Sequence, residues 1–164
     1  MNLHTERTIL RPLAESDFDD ILVMYREPDS NRYIPNLMGL SDESYGAFLR
    51  TKIAANALQV GFWTVRDRLD GRFIGTVNLN TYRDSAISHI GCHLRRKFWK
   101  QGYAFELLSV LRDYGIEGLE LPYIHGIFSN DHHVSEDLMI KLGFVPCEES
   151  SLDLQDAKIY RFPE

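Results

Sequence analysis

The spacing of apolar positions changes several times along this chain, and each change marks an element. Thr8 to Leu13 is a short β-like run, followed by Ser16-Asp17-Phe18-Asp19, which has the spacing of a capping box opening a helix. Phe18, Ile21, Leu22 and Tyr25 recur at helical intervals until Pro28-Asp29-Ser30 stops them. Asn31 to Leu40 keeps neither period and reads as a loop. Ser41 is placed to cap a second helix to about Ala57, with Tyr45, Phe48, Leu49, Ile53 and Ala57 as its apolar stripe. From Gly61 the period becomes that of strands. Phe62 to Arg66 and Phe73 to Asn80 are joined by a tight turn at Leu69-Asp70-Gly71, and Ala86 to Leu94 follows the turn at Arg83-Asp84-Ser85. Ala104, Leu107, Leu108, Leu111 and Gly115 return to helical spacing up to about Leu119. After Pro122 come a strand at Tyr123 to Phe128, a helix at Ser135 to Leu142 ended by Gly143, and a last strand around Ile159 to Phe162.

This order describes a mixed α/β (α+β) domain: two helices, an antiparallel meander, then a parallel strand-helix-strand unit. No repeat or linker interrupts residues 1–164, a length suited to one domain with one sizeable core. No apolar run approaches the roughly 20 residues that span a bilayer, and Met1 to Thr8 carries charges where a signal peptide is greasy. A soluble cytoplasmic protein without a membrane partner is expected. The two cysteines, Cys92 and Cys147, read as reduced thiols. With 18 basic and 24 acidic residues the formal charge is -6, which disfavours nucleic acid and mildly favours cationic partners.

The segment richest in chemistry is Ile90 to Glu106, IGCHLRRKFWKQGYAFE, which joins a strand to a helix. The first N–H groups of a helix have no internal partner and sit at the positive end of its dipole, so an anionic phosphate is suited there. Gly102 lets a phosphate approach the main chain, Ala104 keeps the next turn small, and Lys97 and Lys100 add charge.

Four words in order strengthen this reading: Thr5-Glu6-Arg7-Thr8-Ile9-Leu10-Arg11-Pro12-Leu13, Phe73-Ile74-Gly75-Thr76-Val77, Trp99-Lys100-Gln101-Gly102-Tyr103-Ala104-Phe105-Glu106, and Ser135 with Lys141-Leu142-Gly143-Phe144. Over nearly the full length the chain resembles the GNAT superfamily of N-acetyltransferases, and within it the RimJ/RimL-type branch named for ribosomal-protein N-terminal acetyltransferases. The resemblance implies the GNAT fold: a mixed, largely antiparallel sheet flanked by helices, with a central β-α-β cofactor unit. It implies acetyl-CoA as acyl donor, a primary amine as acceptor (a protein N-terminus, a metabolite or a drug amine), and direct transfer with both bound together. Cys92, His93 and Leu94 then fall where a splayed strand offers backbone groups to the pantetheine arm. Trp99, Lys100, Gln101, Gly102, Tyr103 and Ala104 form the pyrophosphate loop, and Ser135 matches the branch's proposed acid for the departing thiolate.

The chain also departs from the pattern. The branch places an asparagine three residues before that serine, where this sequence has His132, with Asn130 nearby. Three readings stay open: His132 donates to the same carbonyl, Asn130 reaches it, or the contact is absent. Acidic positions of the branch are occupied by His89 and His125, which become candidate general bases because histidine titrates near neutrality. His89 and His93 share one side of a regularly alternating strand. Asp131-His132-His133 lacks metal-site spacing, so no metal is expected. Cys92 reads as a small core residue rather than a nucleophile, and Phe62, Trp63, Trp99 and Phe105 as core aromatics. Acceptor specificity is expected in Arg26 to Ala57 and near Thr81 to Ser88, where Glu27, Asp29, Asp42 and Glu43 could attract a cation. A catalytically inactive acyl-CoA sensor or scaffold is the alternative of a different class. A homodimer through a sheet edge or the C-terminal strand stays open.

Overall fold

A computed structural model describes residues 1–56, 61–83, 85–149 and 152–163. Its eight strands form one sheet in the order β1-β2-β3-β4-β5-β6-β8-β7. In chain order they are β1 (Leu3–His4), β2 (Thr8–Pro12), β3 (Gly61–Asp67), β4 (Phe73–Thr81), β5 (Ser88–Leu94), β6 (Ile124–Ser129), β7 (Val145–Pro146) and β8 (Ala157–Phe162). The helices are α1 (Phe18–Tyr25), α2 (Asp42–Ala55), α3 (Tyr103–Asp113) and α4 (His133–Lys141). Strands β1 to β5 pair antiparallel, as the meander predicts, and β5-α3-β6 is the parallel crossover. The expected helix end at Ala57 and Asp84 of the expected turn lie outside the described residues.

Alternation along the strands sends side chains to two cores, one on each face of the sheet. Leu10, Val65, Ile74, Val77, Leu79, Ile90 and Ile124 pack beneath Leu107, Leu108 and Leu111 of α3. On the opposite face Leu13, Phe62 and Phe73 meet Ile21, Met24 and Tyr25 of α1 and Tyr45 and Leu49 of α2. Helix α3 continues as a π-turn over Tyr114–Gly118, where Leu119 N–H donates to Tyr114 O at 3.0 Å. This brings Gly115 so close to the sheet that a Cβ there would lie 2.3 Å from Ile124 Cδ1.

Two expectations need correction. Ser16 does not cap α1: Asp17 precedes the helix, and its side chain makes no cap hydrogen bond to it. A 3-10 turn at Glu15–Asp17 precedes the helix, and the buried Asp17 carboxylate accepts from Ala14 N–H at 3.0 Å. The same carboxylate is held by Arg11 and Arg66 at 2.5 and 2.9 Å, so an apparent cap residue is the centre of a buried charge network. Trp99 and Phe105 are not core: they are 39% and 46% exposed, whereas Phe62 and Trp63 are buried as expected.

Candidate active site

Strand β5 organises the site. Tyr82 N–H donates to Ile87 O at 2.8 Å and Arg95 N–H to Ile74 O at 2.9 Å, which turns the main-chain groups of odd-numbered β5 residues toward β4. By the alternation of an antiparallel ladder, those of Cys92 and Leu94 point the other way, toward β6. Among the described residues, β6 pairs with β5 only at His89↔His125. Beyond that pair the strands part, and main-chain groups of Cys92 and Leu94 face the gap. The Leu94 carbonyl already accepts from Trp99 Nε1–H at 2.9 Å. The main chain of His93, paired with Thr76, faces β4 rather than the gap, because its strand position is odd.

The unpaired stretch runs to the C-terminal ends of β5 and β6, beyond which α3 and α4 begin. Helix α3 therefore presents uncapped first-turn amides and its positive dipole end to this opening, and α4 presents its positive dipole end with the first turn already capped by His132. In the loop before α3, Lys100 (φ 58°) and Gly102 (φ 81°) are left-handed, an alternation that turns successive N–H groups to one side as an anion-binding nest. A Cβ at Gly102 would meet nothing nearer than Arg7 Nη2 at 3.6 Å, so the main chain is open to a ligand there. Gln101 Nε2 donates to Lys97 O at 2.7 Å, and Arg7 Nη1 donates to Gln101 O at 3.0 Å. The Arg7 guanidinium also lies 3.9 Å above the Tyr103 ring and pairs with Glu106 at 2.7 Å. These residues fit a pyrophosphate-bearing cofactor with an extended arm. Arg7 was legible only as part of an opening strand; nothing in its local sequence places it against a loop some 94 residues away.

Ser135 stands in the first turn of α4, half-buried, and its hydroxyl takes no hydrogen bond among the described residues. His132 caps that helix: its Nδ1 accepts from Ser135 N–H at 3.4 Å. Its ring stacks on Tyr33 with centroids 3.7 Å apart, and burial pulls its pKa below the ordinary value. Asn130 is exposed, its N–H donating to Asp156 O.

The α1–α2 loop bridges the two sides of the opening. Ser30 in it lies 2.7 Å from His93 Nε2, and Tyr33 lies on His132. Glu27 is spent bracing this loop, pairing with Arg95 at 3.0 Å, and Asp42 pairs with Arg26, so neither carboxylate is free to attract a cation.

His89, His93 and His125 all project from the α1/α2 face, with Asn78 and Asn80 beside His89. His89 Nδ1 lies 3.0 Å from Asn80 O and its Nε2 is 3.5 Å from Asn78 Nδ2. Burial lowers both His89 and His93 to about 4. They are neutral at pH 7 and weak as bases, a change from the near-neutral titration expected of His89. The Cys92 thiol packs against the α3-side core, and burial pushes it up to about 12, which leaves no thiolate for nucleophilic attack. His125 donates through Nδ1 to Ser88 O at 3.1 Å and is 4% exposed.

No helix of the described residues is long and apolar enough to cross a membrane. A family model described as an acetyltransferase (GNAT) domain matches residues 7–145. An uncharacterized N-acetyltransferase, YoaA, of Bacillus subtilis is 26% identical over 144 residues, covering 87% of this chain and 81% of that protein. An acetyltransferase from Agrobacterium tumefaciens superposes with a TM-score of 0.88 at 23% identity, over 100% of this chain and 95% of its own. RimL, a ribosomal L7/L12 alpha-N-protein acetyltransferase solved in complex with coenzyme A, superposes with a TM-score of 0.80 at 14% identity, over 98% and 97% of the two chains. A splayed β5–β6 pair, a left-handed amide loop at its mouth and a family match spanning most of the chain agree: this protein belongs to the GNAT family of acetyltransferases.

Proposed function

We propose that this chain transfers the acetyl group of acetyl-CoA directly to a primary amine bound beneath the α1–α2 loop. The observation that carries the reading is the β5–β6 gap with two helix N-termini at its mouth. The pantetheine arm runs along Cys92 and Leu94, and the pyrophosphate rests on the amides of Lys100 to Ala104. The acceptor enters on the face lined by Asn78, Asn80, His89 and His93. Because His89 is held neutral, it orients or relays rather than storing the ammonium proton, which leaves through solvent at this polar strip. The unbonded Ser135 hydroxyl donates to the departing thiolate. No covalent intermediate on the protein is involved.

The test is thiol release from acetyl-CoA across polyamines, aminoglycosides, amino acids and N-terminal peptides. Saturable turnover with one class supports the reading and names the acceptor. Ser135→Ala is expected to lower kcat by about 100-fold with acetyl-CoA KM little changed. Tight acetyl-CoA binding without turnover over the whole panel would replace transferase by acyl-CoA sensor.

A further inference from the structure

On the α1/α2 face, outside the groups used above, three ligand-type atoms converge: His125 Nε2, Cys147 Sγ and a Glu149 carboxylate oxygen lie within 4.8 Å of one another. His125 sits on β6, and Cys147 and Glu149 follow β7. Strand β8 lies between them and sets the register, pairing His125 with Arg161 and then Arg161 with Val145. Cys147 is fixed by its own N–H, which donates to Ile159 O at 3.1 Å.

The histidine is oriented as a ligand. Its Nδ1–H donates to the Ser88 carbonyl, so Nε2 carries the lone pair. That Nε2 is buried and has no hydrogen-bond partner among the described residues, yet it lies 3.4 Å from Glu149 Oε1. A neutral imidazole nitrogen and a carboxylate oxygen this close, with no hydrogen bond between them, gain nothing from the approach unless a cation binds both. Ligand atoms around a tetrahedral zinc are separated by about 3.3 to 3.8 Å for bonds of about 2.0 to 2.3 Å. The His125–Glu149 distance already falls in that range, and Cys147 Sγ, within 4.8 Å of both, needs to close by about 1 Å at a half-buried position.

We propose that His125, Cys147 and Glu149 form a three-ligand site for a borderline-soft divalent cation of the Zn2+ class, with a fourth position open to water. One nitrogen, one sulfur and one carboxylate oxygen select zinc or cobalt over magnesium or calcium. Binding releases the thiol proton to solvent as the metal–sulfur bond forms, and no electron is transferred. The site departs from the expectation that the chain holds no metal, and it stands independently of acetyl transfer. The ion would tie the segment after β7 to β6, one strand from the acceptor face, because His125 is the residue paired with His89.

Co2+ titration of the chelator-stripped, tag-free full chain tests the site. One equivalent is expected to bind, with a thiolate-to-cobalt charge-transfer band and the intense d–d bands of tetrahedral cobalt. Zn2+ should displace it, and Mg2+ should not. Cys147→Ser, at a half-buried position that leaves the fold intact, should abolish the charge-transfer band and weaken binding by about 100-fold or more. Glu149→Gln should weaken binding, and Cys92→Ser should leave it unchanged. Failure to bind saturably at micromolar Co2+, or a band that survives Cys147→Ser, overturns the proposal. So does an imidazolium–carboxylate ion pair of His125 with Glu149, seen by NMR titration and indifferent to added metal.

Discussion

Gly102→Ala separates the fold of the loop before α3 from the cofactor binding proposed for it. Gly102 has a φ of 81°, and an alanine in that region costs about 1 to 2 kcal/mol. Loss of freedom in the unfolded chain returns about 0.4 to 1 kcal/mol, so the net loss is about 1 kcal/mol. The new Cβ would touch only Arg7 Nη2 at 3.6 Å, an ordinary contact, so no packing penalty adds to this. For a domain of this size the melting temperature should fall by about 2 to 4 °C. A phosphate resting on the loop would meet the methyl group instead of the amides. Losing one charge-assisted amide contact is worth about 2 kcal/mol, or roughly thirtyfold in coenzyme A affinity. Calorimetric titration with coenzyme A, beside thermal unfolding, reads both quantities. The KM for S-acetylpantetheine, which lacks the pyrophosphate, should hardly change. Coenzyme A affinity within twofold of wild type, together with the expected thermal shift, would place the phosphates elsewhere and refute the reasoning.

Arg7→Lys keeps the charge but loses the planar group stacked on Tyr103, so acetyl-CoA KM should rise by about tenfold with kcat little altered in steady-state kinetics; unchanged KM would leave Arg7 only a structural brace. Gly115→Ala forces a methyl group to 2.3 Å from Ile124 Cδ1 and 3.2 Å from Leu79 Cδ2, both fully buried, and should cost about 1 to 3 kcal/mol in urea unfolding. His89 and His93 are lowered from 6.5 to about 4, so the unfolded chain binds more protons between those values. Their contribution to stability is therefore complete above pH 6.5 and declines as the pH falls, by about 2 kcal/mol per histidine at pH 5. Urea midpoints at pH 7.5 and pH 5 should differ accordingly and converge in part for His93→Gln; equal acid sensitivity in wild type and variant would show His93 is not held neutral.

The order of elements could be read from the chain because periodicity is a local property: period two from Gly61 to Leu94 and period 3.6 from Ala104 to Gly115 follow from which face each residue buries. The glycine and basic residues of the loop before α3 were legible for the same reason, since they and the following helix are consecutive. Contacts between distant segments are different, because register and sheet order decide them. Asp17 looked like part of a cap and became the buried partner of two arginines once β2 and β3 were paired. Arg7 came to the loop before α3 only because β2 lies where it does. The neutrality of His89 and His93 depends on desolvation by elements that cover them, which a residue type cannot reveal. His125, Cys147 and Glu149 are separated by a helix and a strand in the chain. They converge only because β8 inserts between β6 and β7 and holds both in register.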